Sequence, residues 1–107
     1  MPVDQSQYSY LKLARPKPGL LEVILSNPGK LNSVTAEGHA ELARIWQDID
    51  RDDSVQVVLL RGEGGVYSSG GDMKLVEGIA GDWNTRMRAW KEASDIVYNV
   101  INCSKLT

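Results

Sequence analysis

The residues of this chain best suited to chemistry lie in one stretch, VVLLRGEGGVYSSGGDMK, from Val57 to Lys74. Four apolar residues run directly into a loop that holds Gly62, Gly64, Gly65, Gly70 and Gly71. Bare backbone after a strand can turn its N–H groups toward an anion. A nucleotide phosphate loop would need a glycine, four residues, then Gly-Lys-Ser/Thr. Gly65 and Gly70 have that separation, but Gly71 and Asp72 follow, and an aspartate there repels phosphate. A dinucleotide fingerprint would need Gly-x-Gly-x-x-Gly. Gly62 and Gly64 begin it, but Tyr67 stands at the third glycine position. The chemistry left is an oxyanion hole. A thioester or ketone passing to an enolate or tetrahedral adduct gathers charge on its oxygen, and losing one fixed N–H donor costs roughly 2.7–4 kcal/mol. Such a donor must be unpaired and approachable, which glycine at positions 70 and 71 allows. A merely flexible turn is the competing reading of the loop taken alone.

Other reactive side chains form no constellation. One histidine (His39), one cysteine (Cys103) and scattered carboxylates lack metal-ligand spacing, so no metal site is expected. Asp48, Asp50 and Asp52 alternate like the start of a calcium loop, without the glycine and terminal glutamate that must follow. The run DIDRDDS (48–54) reads as a solvated helix end. Cys103 reads as structural, since His39 is far away in sequence.

These residues need elements to hold them. YSYLKLA (8–14) and LLEVILS (20–26) are rich in strand formers, and RPKPG (15–19) between them is a turn, so the pair predicts an antiparallel hairpin. Thr35 can cap a helix with Glu37 in its first turn. Leu42, Ile45, Trp46 and Ile49 then make an apolar stripe at helical spacing. VQVVLLRG (55–62) is nearly unbroken in apolar character, which predicts a strand covered on both faces in a parallel or mixed sheet. After the glycine loop, DMKLVEGIAG predicts a short helix, and a longer one runs from about Asp82 to about Ser104. Trp83, Met87, Trp90, Ala93, Val97, Val100 and Ile101 share one broad face of that helix, expected to be core.

Bulk properties bound the answer. At 107 residues there is one domain at most, with 42% apolar and 24% charged residues, as in an ordinary globular protein. The net charge of −2 argues against nucleic-acid binding. No apolar run approaches the roughly 20 residues that span a bilayer, and MPVDQSQYSY has no leader character, so no membrane partner is expected. Ser104-Lys105-Leu106 would be a peroxisomal address only as the last three residues, and Thr107 follows. The lone cysteine fits a reducing compartment, and a cytoplasmic location is expected. The apolar long helix and the apolar third strand both need partners, so the expectation is the front portion of a longer protein.

Asn27, Pro28, Lys30 and Asn32, then a capped helix, then Gly62, Tyr67, Ser68, Gly70, Asp72 and Met73 match a known pattern in order and spacing. From about Tyr8 onward the chain resembles the crotonase superfamily, the enoyl-CoA hydratases and isomerases. The resemblance implies an α/β fold, a spiral of strand-strand-helix units. Residues 1–107 would be the N-terminal part of a single such domain, truncated at its C-terminus. It implies an acyl-CoA thioester as substrate, with no cofactor beyond that coenzyme A, and a homotrimer or hexamer when full length.

The residue between the loop's glycine and its aspartate supplies the first oxyanion donor in this family, which here is Gly71. Lys30, Leu31, Asn32, Ser69, Gly70, Asp72, Met73 and Lys74 would bind substrate, with Lys30 and Lys74 toward the coenzyme A phosphates. Asp72 would be structural rather than a general base. Most relatives carry alanine or a larger residue where Gly71 stands, so a pocket wider by a methyl is expected, and with it tolerance of bulky acyl groups. The second oxyanion donor and the catalytic carboxylates of the family lie further on, so residues 1–107 alone are expected not to catalyse. Within the superfamily a carbon–carbon hydrolase acting on a diketone is the alternative. From another class, so is a non-catalytic CoA-binding or assembly module.

Overall fold

The computed structural model describes residues 2–107. A three-stranded sheet runs in the order β1 (Leu11–Lys17), β2 (Gly19–Leu25), β3 (Val55–Gly62). β1 and β2 form the expected antiparallel hairpin, with Leu11 opposite Leu25. The hairpin is tighter than its sequence suggests. Arg15, Pro16 and Lys17 belong to β1, the turn is confined to Pro18, Gly19 already opens β2, and the register slips between Ala14 and Lys17. Gly19 adopts φ +82°, which glycine takes without strain. Arg15 is held in the strand by its guanidinium, which donates to the Val3 carbonyl at 3.0 Å and to Asp52 at 3.1 Å.

Helix α1 (Ala36–Asp50) crosses from β2 to β3, which pair in parallel from Gly19–Val55 to Leu25–Gly62. Thr35 caps it as expected, its hydroxyl accepting from Gly38 N–H at 3.0 Å. Ile45, Trp46 and Ile49 sink its inner face against Leu21, Val23, Leu25 and Val58, all nearly inaccessible to solvent. Each such side chain contributes about 1.5–3 kcal/mol by leaving water.

Glu41 of α1, 2% exposed, anchors the segment that leads into β1. Its carboxylate accepts from the N–H groups of Ser9, Tyr10 and Leu11 at 3.0–3.1 Å. Burial opposes its ionisation, but those backbone donors outweigh it and hold the carboxyl below its ordinary range.

The acidic run at the C-terminal end of α1 is more than a solvated helix end, although Asp50 and Asp53 are exposed. Asp48 accepts from the Tyr8 hydroxyl and Asp50 from Ser104 N–H at 2.7 Å. Asp52 is 1% exposed and takes Val3 N–H at 2.8 Å together with Arg15 and Ser54. Asp48, Asp50 and Asp52 each tie down a different distant segment, which a charge count along the sequence cannot register.

After the glycine loop come α2 (Met73–Gly81) and α3 (Trp83–Asn102), capped by Asp72 and Asp82. α3 packs on α1 through Ala89 and through His39 on Glu92 (Nδ1 to Oε1, 2.8 Å), and Asn99 donates to the Ala43 carbonyl at 2.7 Å. The apolar stripe expected in the core is instead mostly open, Val100 alone of those residues packing against the core. Trp83, Trp90, Val97 and Ile101 are 58–77% exposed, because the helix turns its narrower Ala89 and Val100 side toward α1. β3 is likewise covered on one face alone. Val58 is buried while Val57 and Leu59 lie on the open face, 38% and 46% exposed. Past α3 the chain returns beside β3, with Val58 N–H donating to the Leu106 carbonyl at 2.8 Å. Cys103 packs at the border of the core, a structural position.

Candidate active site

Two loops meet at the C-terminal end of the parallel strands, residues 26–35 after β2 and residues 63–72 after β3. Gly62 lets the second loop fold back. A side-chain carbon there would stand 2.0 Å from the Val66 carbonyl oxygen and 2.2 Å from that of Tyr67. No residue larger than glycine fits under that crossing.

Asn32 joins the loops. It is 5% exposed, and its amide nitrogen donates to the carbonyls of Glu63 and Val66, both at 2.9 Å. Its amide oxygen accepts from Asn27 N–H at 3.1 Å. Both side-chain donors are therefore engaged. The Asn32 side chain binds the two loops together. Leu31 beside it is 62% exposed, and both residues sit at φ 53°.

Further on, the loops touch as one parallel bridge between Val34 and Gly71. Val34 N–H donates to the Gly70 carbonyl at 2.7 Å, and Asp72 N–H donates to the Val34 carbonyl at 2.9 Å. The Gly71 N–H takes no part in that ladder and has no acceptor among the described residues. Because a trans peptide is planar, this N–H points opposite to the Gly70 carbonyl, away from Val34. The bond from Val34 thus aims the Gly71 N–H outward while leaving it free.

The surface there is an open depression of about 660 Å³, lined by Lys30, Ser69, Gly71, Asp72, Met73 and Lys74 among others. Leu31 and Asn32 line a neighbouring depression of about 320 Å³ with Glu63, Gly64 and Val66. Gly70 borders neither. Lys30 and Lys74 form no ion pair among the described residues. The α2 N-terminus adds the positive end of its dipole beside Gly71. Asp72 caps that end, its carboxylate accepting from Leu75 N–H at 2.8 Å.

The missing methyl of Gly71 has a definite address. A side-chain carbon there would lie 3.6 Å from Leu75 Cδ2 and 3.9 Å from Val76 Cγ2, ordinary contacts. Alanine would fit, and glycine leaves a methyl-sized gap against the first turns of α2.

Asn27, Ser33 and Thr35 also line the larger depression, residues that the sequence marks only as a motif position, a loop and a helix cap. Ser68 went unassigned too, although a hydroxyl two residues before a glycine turn is a recognisable local hydrogen-bond signal.

Strands joined by helices, with a free backbone donor where two loops meet beyond the parallel strand ends, define an α/β protein with a candidate site at the strand ends. A family profile described as Enoyl-CoA hydratase/isomerase matches residues 15–107, and the chain belongs to that family, within the crotonase superfamily. Over 61 residues it is 36% identical to a protein of Arabidopsis thaliana named "Probable enoyl-CoA hydratase 1, peroxisomal", and 34% identical to the 1,2-epoxyphenylacetyl-CoA isomerase of Escherichia coli. Each match covers 57% of this chain and 23% of the relative. A crystal structure of an enoyl-CoA hydratase/isomerase from Mycobacterium paratuberculosis superposes with a TM-score of 0.84 at 27% identity, over 90% of this chain and 38% of that one. The chain spans about a quarter of the length of these curated relatives. The fold is the crotonase fold, and the match takes in 38% of that structure's chain.

Proposed function

We propose that this segment forms the thioester-binding side of an enzyme that processes acyl-CoA by hydration or isomerisation. The observation that carries the reading is the Gly71 N–H, fixed through the Val34–Gly70 hydrogen bond and without an acceptor among the described residues. An acyl carbonyl seated there would receive that N–H as its oxygen gains charge, the arrangement that stabilises an enolate. Lys30 and Lys74, at the same depression and without an ion pair among the described residues, suit the phosphates of coenzyme A. The acyl-CoA is substrate and cofactor in one, and the reading calls for no metal.

Proton transfer comes from elsewhere in the enzyme. Asp72 is the one carboxylate among the residues lining the depression, and it caps α2. Glu63, at the neighbouring depression, is hydrogen-bonded to Ser26 and Lys12. Residues 1–107 alone are therefore proposed to bind acyl-CoA without turning it over. A hydratase and an isomerase both match this segment, which fits a shared binding half with the reaction decided outside it.

Calorimetric titration of the chain with a short acyl-CoA and with the same acyl group on pantetheine tests the reading. Tighter binding of the CoA form, lost on Lys30→Ala together with Lys74→Ala and weakened by salt, supports it. Equal binding of both ligands, or of neither, contradicts it.

A further inference from the structure

The Gly71 N–H is only as well aimed as Gly70, which precedes it. Gly70 adopts φ +104°, a conformation open to glycine and to few others. One of its flanking peptide planes is held by Val34. The other is held from a different direction. Gly70 N–H donates to the Ser68 hydroxyl at 3.1 Å, and that hydroxyl donates in turn to the Asn32 carbonyl at 2.8 Å. The Tyr10 hydroxyl reaches the same carbonyl at 3.0 Å from 22 residues away.

We propose that Ser68 and Tyr10 are positioning residues for the Gly71 amide, acting through the backbone carbonyl of Asn32. The inference rests on the functional reading above for its purpose, and on these hydrogen bonds for its substance. Leu31 and Asn32 both occupy the left-handed region, at φ 53°. Left-handed backbone in residues other than glycine persists where its surroundings over-determine it. Two hydroxyls converging on one carbonyl, from β1's leader and from the glycine loop, supply that determination. Tyr10 and Asn32 are 6% and 5% exposed, so water does not readily replace either partner. Asn32 thus serves twice: its amide ties the loops together, and its carbonyl fixes Ser68, which fixes Gly70.

The test uses the 15N-labelled 107-residue chain and needs no substrate. In Ser68→Ala, Gly70 N–H should exchange with solvent roughly tenfold faster, the equivalent of one net hydrogen bond. The heteronuclear NOE of Gly71 should fall, while Asp72 N–H, bonded to Val34, stays protected. Ser68→Thr, which keeps the hydroxyl, should restore both signals. Tyr10→Phe keeps the ring and removes one donor. It should loosen Gly71 in the same sense, and it carries the test if Ser68→Ala does not fold. Unchanged Gly70 exchange and unchanged Gly71 order in either folded variant would overturn the inference. Failure of a CoA thioester to perturb Gly71 in the wild-type chain would instead overturn the functional reading and leave the positioning result standing.

Discussion

The ring of Tyr10 fills the space that a side chain on Gly38 would need. A carbon added to Gly38 would stand 2.6 Å from Tyr10 Cγ. This accounts for a glycine in the first turns of α1, where the residue is otherwise unfavourable. It also joins the seating of α1 to the hydroxyl that reaches the Asn32 carbonyl.

Gly38→Ala sets two effects against each other. Helix propensity improves by about 1 kcal/mol, while overpacking against a buried ring costs about 1–3 kcal/mol. The clash should win, and the melting temperature should fall. The Gly71 amide signal should shift as Tyr10 is displaced, whereas a rise in melting temperature with Gly71 unmoved would show that the ring moves aside freely.

Gly62→Ala should be far worse. Here the obstacle is backbone, at 2.0 Å, and it cannot rotate away. The loss should exceed the roughly 1–3 kcal/mol of ordinary overpacking, with the glycine loop disordered or the chain unfolded by circular dichroism. A Gly62→Ala protein as stable as wild type would show that the loop does not cross there.

Acid should destabilise the chain through Glu41 and Asp52. Burial opposes ionisation of both, but their hydrogen bonds outweigh it and hold both carboxyls below the usual range. A carboxyl whose folded pKa is depressed gives stability that is complete above its unfolded value and lost as pH falls through the folded one. Denaturation midpoints should therefore stay flat from neutrality down to about pH 5 and fall below it. Glu41→Gln should be less stable at neutral pH and show a shallower acid slope. An unaltered slope would assign the acid sensitivity to other groups.

The open stripe of α3 should tolerate charge. Trp90→Glu and Ile101→Lys, at positions 67% and 77% exposed, should change the stability of the 107-residue chain by no more than about 0.5 kcal/mol. Ala89→Glu, at a position 7% exposed and facing α1, should unfold or strongly destabilise it. The reverse ranking would mean that α3 packs by the face the hydrophobic pattern first suggested.

Local chemistry made much of this legible in the sequence. Thr35 before an apolar stripe announced α1, strand formers flanking prolines and glycine announced the hairpin, and the glycine loop announced where to look. What stayed hidden depends on residues far apart in the chain. The stripe of Trp83, Trp90 and Ile101 has the period of a buried face, but period alone does not say which neighbour is present to bury it. Asp52 looked like one charge in an acidic run, and its burial depends on Val3 and Arg15. Asn32 matched a motif as a binding residue, yet its amide faces inward to Glu63 and Val66, partners set by loop crossing rather than spacing. The freedom of the Gly71 N–H was expected from glycine alone, but its direction is set by Val34, on the other loop.

The central claim concerns one amide, and the direct measurement follows that amide. 15N spectra of the chain titrated with a CoA thioester, beside the matched thioether that lacks the carbonyl, report on the Gly71 N–H itself. The account predicts that its proton moves downfield with the thioester and not with the thioether, while Lys30 and Lys74 respond to both. A Gly71 signal that stays in place at saturating thioester, or that moves equally with the two ligands, would contradict it.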